Sequence, residues 1–283
     1  VLTAIALFWM LRLILQFAAF NTNNLFIHLP GLEPIQSFYS FYYQPTIPIL
    51  IGLGILLVFC PWLLIALLKL FYGLKPLSVE TLKTHSPEAV RVLQRISRER
   101  RLPLPSLGIL PTDTPIALTF GNLPQTARIV VSQGLLDQLA DDEIAAIYTA
   151  QLGHILHWDF VLMSLGILLA QIPYTVYWVV AQWGEQWEGP ILRGTTGAIA
   201  SVAYGIYWLL RWPLVWLSRI RIYFSDRFCT DATGNPNGLT RALLKIAIGI
   251  TKDIEQQGKT PWILEGFDLL MPLGYRQAIT LGS

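Results

Sequence analysis

The sequence predicts an α-helical membrane protein that carries an α+β domain, and three observations carry that prediction. Hydrophobic residues make up 53% of the 283 and charged residues only 13%, with ten Trp, and the mean hydropathy is +0.50; ordinary soluble domains are far less apolar. Four segments approach the roughly 20 apolar residues that a bilayer demands: Val1 to Phe20, Ile47 to Tyr72, Phe160 to Gly184 and Thr196 to Leu217. Between the second and the third, helical and strand patterns alternate instead.

The first segment reads as a retained span and not a signal peptide, because Arg12 interrupts its apolar run and no small-residue cleavage pattern precedes Asn21. The chain begins at Val1 and stops at Gly282-Ser283 with no terminal signature, as a piece of a longer protein would. Orientation follows from Lys and Arg. None lies between Asn21 and Thr46, whereas Lys75, Lys83, Arg91, Arg95, Arg98, Arg100, Arg101 and Arg128 fall between the second and third spans, and Arg219, Arg221 and Arg227 follow the fourth. The positive-inside rule puts both regions in the cytoplasm, with the Asn-rich loop after the first span and the Glu185 to Arg193 connection outside. Residues 1–72 thus form a transmembrane hairpin, and 73–283 a domain interrupted by spans at about 160–184 and 196–217. A net charge of +2 argues against nucleic acid as a partner. Cys60 in a span and Cys229 in a polar region imply no disulfide.

Within the polar region, Ser86-Pro87-Glu88 marks a helix start, with Ser as N-cap and Pro at the first helical position, and Ala89, Val92, Leu93 and Ile96 recur at helical spacing. Its arginines form a solvated face, with contact to anionic headgroups as the second reading. Leu102-Pro103-Leu104-Pro105 stops the helix; Leu107 to Leu110 and Arg128 to Ser132 read as strands, with a turn at Gly121-Asn122. A helix carrying Leu135, Leu136 and Leu139 follows. Asp141-Asp142-Glu143 then supplies acidic residues for the first turn of the next, which runs to Trp158. After the fourth span, Ser218 to Thr230 continues helical, Gly234 to Gly238 breaks it, and Leu239 to Gln256 forms an amphipathic helix.

The stretch Thr149 to Asp159 has the form of a zinc-protease helix with its chemistry altered. Such a helix needs His-Glu-x-x-His, two imidazoles one turn apart on the metal and a Glu that activates water. The positions here are Ala150, Gln151 and His154. His154 and His157 share one helical face, and Arg211 stands inside the fourth span, where its charge calls for a partner, a polar cavity or snorkelling beside Trp212 and Trp216. Pro173 and Pro213 are expected to kink their spans, and His28 and His85 to be solvated.

Blocks in the same order resemble the integral-membrane zinc metallopeptidases of the HtpX and CAAX prenyl protease family, from about Leu102 to Arg276. Ile116-Ala117-Leu118-Thr119-Phe120-Gly121 is similar to the family's Asn-Ala-Phe-Ala-x-Gly loop, and Ile129 to Leu136 to its valine-rich edge strand and Gly-Leu-Leu helix start. Thr149 to Ile155, with Asp159 downstream, resembles Ala-His-Glu-Leu-Gly-His-Ile with its downstream Asp. Ser218 to Asp226 resembles Ser-Arg-x-Arg-Glu-x-x-Ala-Asp, with Ile222 at the third zinc ligand, and Met271 to Arg276 resembles His-Pro-x-x-x-Arg with Met271 for His.

The resemblance implies a zincin-like (gluzincin) α+β domain, with zinc as its cofactor and membrane proteins or polypeptides as substrates. It also implies what is missing. Only His154 remains as a family ligand, Gln151 occupies the general-base position but cannot accept a proton from water near neutral pH, and Ile116 stands for the substrate-positioning Asn. Zinc is expected to be weakly bound or unbound. The expectation is a pseudopeptidase of membrane-protein proteolysis or quality control that binds polypeptides along the edge strand Ile129, Val130 and Val131, alone or as a homo- or hetero-oligomer. The alternative is an active peptidase with an atypical zinc site of His154, His157 and Asp226, or one completed by another subunit. A metal-free reading makes His154 a core histidine bonded to Asp226, which in the family frame orients a metal-binding His.

Overall fold

Two long apolar helices open the structure, a computed structural model that describes residues 2–27, 46–186, 190–258 and 261–282. They are α1 (Leu2–Ile27) and α2 (Thr46–Tyr72). The Asn-rich stretch expected to be a loop from Asn21 is helical as far as Ile27 and extends α1; His28 and the rest of that expected loop lie outside the described residues. By length and composition α2, Asp159–Gly184 and Arg193–Thr233 are long and apolar enough to cross a membrane, whereas the apolar run of α1 is the shorter Phe8–Phe17. Among the described residues three helices therefore meet the criterion, where the sequence suggested four.

The remaining elements follow in chain order: β1 (Lys75–Pro76), α3 (Val79–His85), α4 (Pro87–Glu99), β2 (Ser106–Leu110), β3 (Ala117–Phe120), β4 (Arg128–Ser132), α5 (Gln133–Gln138), α6 (Asp141–Leu156), α7 (Asp159–Gln186), α8 (Pro190–Thr233), α9 (Pro236–Gln257), α10 (Trp262–Phe267), a 3-10 turn at Asp268–Leu270, and α11 (Tyr275–Gly282). The third span and fourth span sit within α7 and α8. α8 continues unbroken past Leu217, through Pro213, until Gly234 with φ 64 releases the chain, and Asn235 caps α9 by accepting from Gly238 N–H at 3.1 Å.

These elements form two compact units, Val1–Phe59 with Leu168–Val215, and Cys60–Ile167 with Trp216–Ser283. In the first, α7 and α8 meet through tyrosines: Tyr174 and Tyr207 have ring centroids 5.0 Å apart, Tyr177 and Tyr204 4.9 Å. Arg211 is buried here, with Nη1 donating to the Tyr207 hydroxyl at 2.8 Å. Its charge is held within protein, and snorkelling does not describe it.

The second unit holds the α+β domain. Ser86 is buried and caps α4 by accepting from Ala89 N–H at 3.0 Å, as the Ser-Pro-Glu signal predicts. The sheet runs β1-β2-β4-β3. β2 and β4 are parallel, from Ser106 opposite Arg128 to Leu110 opposite Ser132, and β3 is antiparallel to β4, from Ala117 opposite Val131 to Phe120 opposite Arg128. Two expectations are corrected here. Ala117 to Phe120 is a strand and not a loop, with all four side chains buried; buried on both faces, it lacks the alternation that marks a strand in sequence. Ile129, Val130 and Val131 do not form an edge: β4 is paired on both sides and all three are fully buried. The outer strand beside it is β3.

Ser132 joins strand to helix by accepting from Leu135 N–H at 3.1 Å and Ile116 N–H at 2.9 Å. Next to it Gly134 lets the Asp113 segment cross: a Cβ there would lie 1.8 Å from the Asp113 carbonyl oxygen. Gly134→Ala is expected to destabilise the protein by at least about 1–3 kcal/mol, the cost of overpacking against immovable backbone. Gly205→Ala, where a Cβ meets nothing within 4 Å, is expected to be silent in the same thermal unfolding measurement.

Candidate functional site

α6 is the spine of the second unit, with Glu143 to Ile155 all buried. Asp141, Asp142 and Glu143 occupy its first turn, where the helix dipole favours them. Glu143 accepts from Ala140 N–H at 2.9 Å and pairs with Lys245 Nζ at 2.7 Å, tying α6 to α9. Burial opposes ionisation of Glu143, but Lys245, the Ala140 N–H and Arg241 together hold its carboxyl below the ordinary range.

α8 crosses α6 where the side chains of α6 are small. Cys229 Sγ donates to the Ala146 carbonyl at 3.2 Å and Ser225 Oγ to the Ala150 carbonyl at 2.6 Å. A Cβ on Gly153 would stand 3.1 Å from the Phe228 ring and 3.3 Å from Ser225 Cα, so glycine sets how closely the helices approach. Ala150, at the position of the family's first ligand, is buried in this crossing. Cys60 and Cys229 are buried free thiols.

Gln151 lies one residue further on and is fully buried; its Oε1 accepts the Thr119 hydroxyl of β3 at 2.7 Å, and its Nε2 has no partner. His154, also buried, does not bond Asp226. Its Nδ1 lies 3.1 Å from Asp159 Oδ2, and the other Asp159 oxygen lies 3.8 Å from Arg221 Nη1. The cause is the chain reversal at His157-Trp158, where Trp158 takes φ 60 and returns Asp159 towards the helix it follows. Burial first, then the Arg221 charge, pushes the His154 imidazole below its ordinary value against the pull of Asp159. The ring is therefore neutral, with Nδ1–H donating to the carboxylate. Asp226 is half-buried.

His157 is exposed, donates from Nδ1 to the Gly153 carbonyl at 2.7 Å, and sets its ring 6.1 Å from Phe224 and 6.4 Å from Phe228. The carboxylate that His154 meets is Asp159, where the metal-free reading of the sequence expected Asp226. Among the described residues no three His, Cys, Asp or Glu side chains come together as a metal site requires. His154, His157 and Asp226 are thus not assembled into a ligand set, and His85 is exposed.

Sequence reasoning missed two participants. Thr119 carried no signal of its own; Arg221 did, as the second arginine of the Ser218 block. It is buried, and its Nη2 donates to the Leu270 carbonyl at 3.2 Å, fixing the turn that leads into buried Met271. Ile116 is buried as well. Zinc needs donors with open lone pairs in a fixed geometry. Ala150 and Ile222 offer none, so the residues present do not fit a catalytic zinc.

A peptidase-type domain is what this arrangement defines: a His-bearing helix under a small sheet, crossed by a helix that returns from the membrane with a second motif. The chain belongs to peptidase family M48, whose sequence pattern matches residues 83–274 and so starts upstream of the similarity read from motifs, taking in α4. It is similar to a protease HtpX homolog of Methanothermobacter thermautotrophicus, 27% identical over 66% of this chain and 72% of that protein. Homologs of the same description from Moorella thermoacetica and Thermococcus sibiricus are each 29% identical, over 60% and 57% of this chain and equal shares of their own lengths. For those two the match spans under two thirds of the relative. No solved structure matches the chain.

Two measurements test the site's energetics. Thr119→Val leaves the buried Gln151 carbonyl oxygen unpaired and is expected to cost about 1–3 kcal/mol, most of it regained in Thr119→Val with Gln151→Leu, since removing both partners of a buried bond is nearly neutral. The folded-state pKa values of His154 and Glu143 are both depressed. Their contribution to stability is complete above the ordinary His value of about 6.5 and is lost on acidification, first through His154 and then, below about 4.3, through Glu143. Between pH 7.5 and 5.5 in detergent, the Tm of the unaltered chain should change less favourably on acidification than that of His154→Gln, which lacks the buried imidazole.

Proposed function

We propose that this HtpX-like chain is a catalytically degenerate member of its family, a pseudopeptidase that binds polypeptides or partner proteins at the membrane without cutting them. The Thr119–Gln151 hydrogen bond carries the reading. In the family frame Thr119 stands for an alanine and Gln151 for the catalytic Glu, and here the two replacements bond to each other. That is the behaviour of a site kept as packing. Ala150, Ile116 and Met271, three further positions where the family has polar groups, are buried apolar side chains, and refilling them with hydrocarbon removes the polar cavity that a metal and its water occupy.

The distribution of Lys and Arg supports a cytoplasmic position for the domain, with α2, α7 and α8 in the lipid bilayer. β4 is satisfied on both sides and the residues of β3, the outer strand, are fully buried, so neither strand offers the open edge that strand addition uses. Quality control of membrane proteins fits a binder of this kind, one that holds clients or regulates an active relative.

Purified full-length chain is expected to contain zinc well below stoichiometry and to leave casein intact. Stoichiometric zinc that disappears in His154→Ala or Asp226→Ala, accompanied by casein cleavage, would establish the active enzyme with an atypical metal site and defeat the proposal.

A further inference from the structure

The turn between β3 and β4 lies against the start of a span. Gly121, with φ 149, donates its N–H to Ser164 Oγ of α7 at 3.1 Å, and a Cβ at Gly121 would meet the Phe160 ring at 3.1 Å. Ser164 is five residues beyond Asp159, about 7.5 Å along the helix. At 28 residues, α7 is about 42 Å long, the thickness of a bilayer together with its headgroup layers, about 40–45 Å. Its first turns accordingly belong to the interfacial layer, and the β3–β4 turn is fastened beside them.

The turn is built to present an apolar tip. Thr126 Oγ1 accepts from the N–H of Leu123 at 3.1 Å and donates to Asn122 Oδ1 at 2.6 Å, which fixes the backbone and leaves Leu123 47% exposed. Trp158, two residues before the Phe160 that packs beside Gly121, is 52% exposed in a left-handed conformation that aromatic residues rarely adopt, and Tyr223 and Phe224 of α8 are 64% and 48% exposed. The His157 ring against Phe224 places the Trp158 turn alongside that helix. Exposed aromatic side chains and a leucine next to the start of a span have the chemistry of the headgroup–acyl boundary, where Trp and Tyr concentrate.

We infer that Leu123 of the β3–β4 turn, with Trp158, Tyr223 and Phe224, inserts into the headgroup–acyl boundary of a phospholipid bilayer and seats the domain on the membrane through β3. The inference rests on α7 spanning the bilayer. It explains why a leucine is left exposed in the β3–β4 turn, and it brings that turn to the membrane surface.

Full-length protein bearing Leu123→Cys, labelled with an environment-sensitive fluorophore in phosphatidylcholine vesicles, tests it. Cys60 and Cys229 are buried, so the label is selective, and Ile172→Cys, exposed on α7, reports the span. The expected result is loss of most Leu123→Cys emission to lipid carrying a shallow nitroxide and little loss to aqueous iodide, with the Ile172→Cys label quenched by a deep nitroxide. Quenching at position 172 with iodide access at position 123 overturns the inference while leaving the span intact. A label at position 123 shielded from both quenchers, as in contact with a second copy, overturns it as well. Absence of lipid quenching at both positions overturns the spanning reading too.

Discussion

Asp159 is the side chain on which the second unit converges. It is the first residue of α7, it accepts from His154 of α6, and it faces Arg221 of α8 across 3.8 Å. Arg221 in turn holds the turn at Leu270. Three helices and the C-terminal segment are thereby joined around one carboxylate. Arg221 is buried with Nε and Nη1 unbonded, so the pair stabilises the fold less through its own attraction than through the cost of breaking it. Removing one partner of a buried pair leaves an uncompensated charge, typically about 3–5 kcal/mol.

This junction explains how a peptidase frame persists when two of its three ligand positions, Ala150 and Ile222, are apolar. In the frame His154 faces a metal, and here its second role, anchoring the start of a membrane helix through Asp159, is sufficient reason to keep it. The small residues Ala146, Ala150 and Gly153 bring α8 against α6, and once Ala150 stands in the crossing the fold no longer needs an imidazole there. Gln151 completes the exchange by bonding sideways to the sheet. The architecture holds through helix-to-helix and helix-to-sheet contacts: Ser225 and Cys229 of α8 on α6, and Gln151 of α6 on Thr119 of β3.

Much of this was legible where the signal is local. Ser86 caps the helix that its side chain announces, the acidic run at Asp141 opens α6, and β4 has the predicted bounds Arg128 to Ser132, whereas Asn235, read as part of a break, caps a helix that starts at Pro236 and not at Leu239. What could not be read depends on pairing between distant segments. The order of strands, which puts β4 inside and β3 outside, is set by the parallel pairing with β2 and leaves no mark in either strand. The partner of His154 was missed for a different reason: a left-handed Trp158 redirects the chain by a route that helical periodicity does not encode, so spacing along α8 pointed to Asp226 instead. The family resemblance was readable because its motifs are local and ordered, although it cast β3 as a loop.

If the frame is intact and only the donors are absent, restoring the donors should restore the metal. The decisive measurement is zinc content, by elemental analysis, of folded full-length chain carrying Ala150→His, Gln151→Glu, Ile222→Glu and Thr119→Ala together. The prediction is a rise from far below stoichiometry in the unaltered chain to about one zinc per chain, as three protein ligands on a catalytic-type site provide. Stoichiometric zinc in the unaltered chain, or a folded variant that gains none, would contradict it.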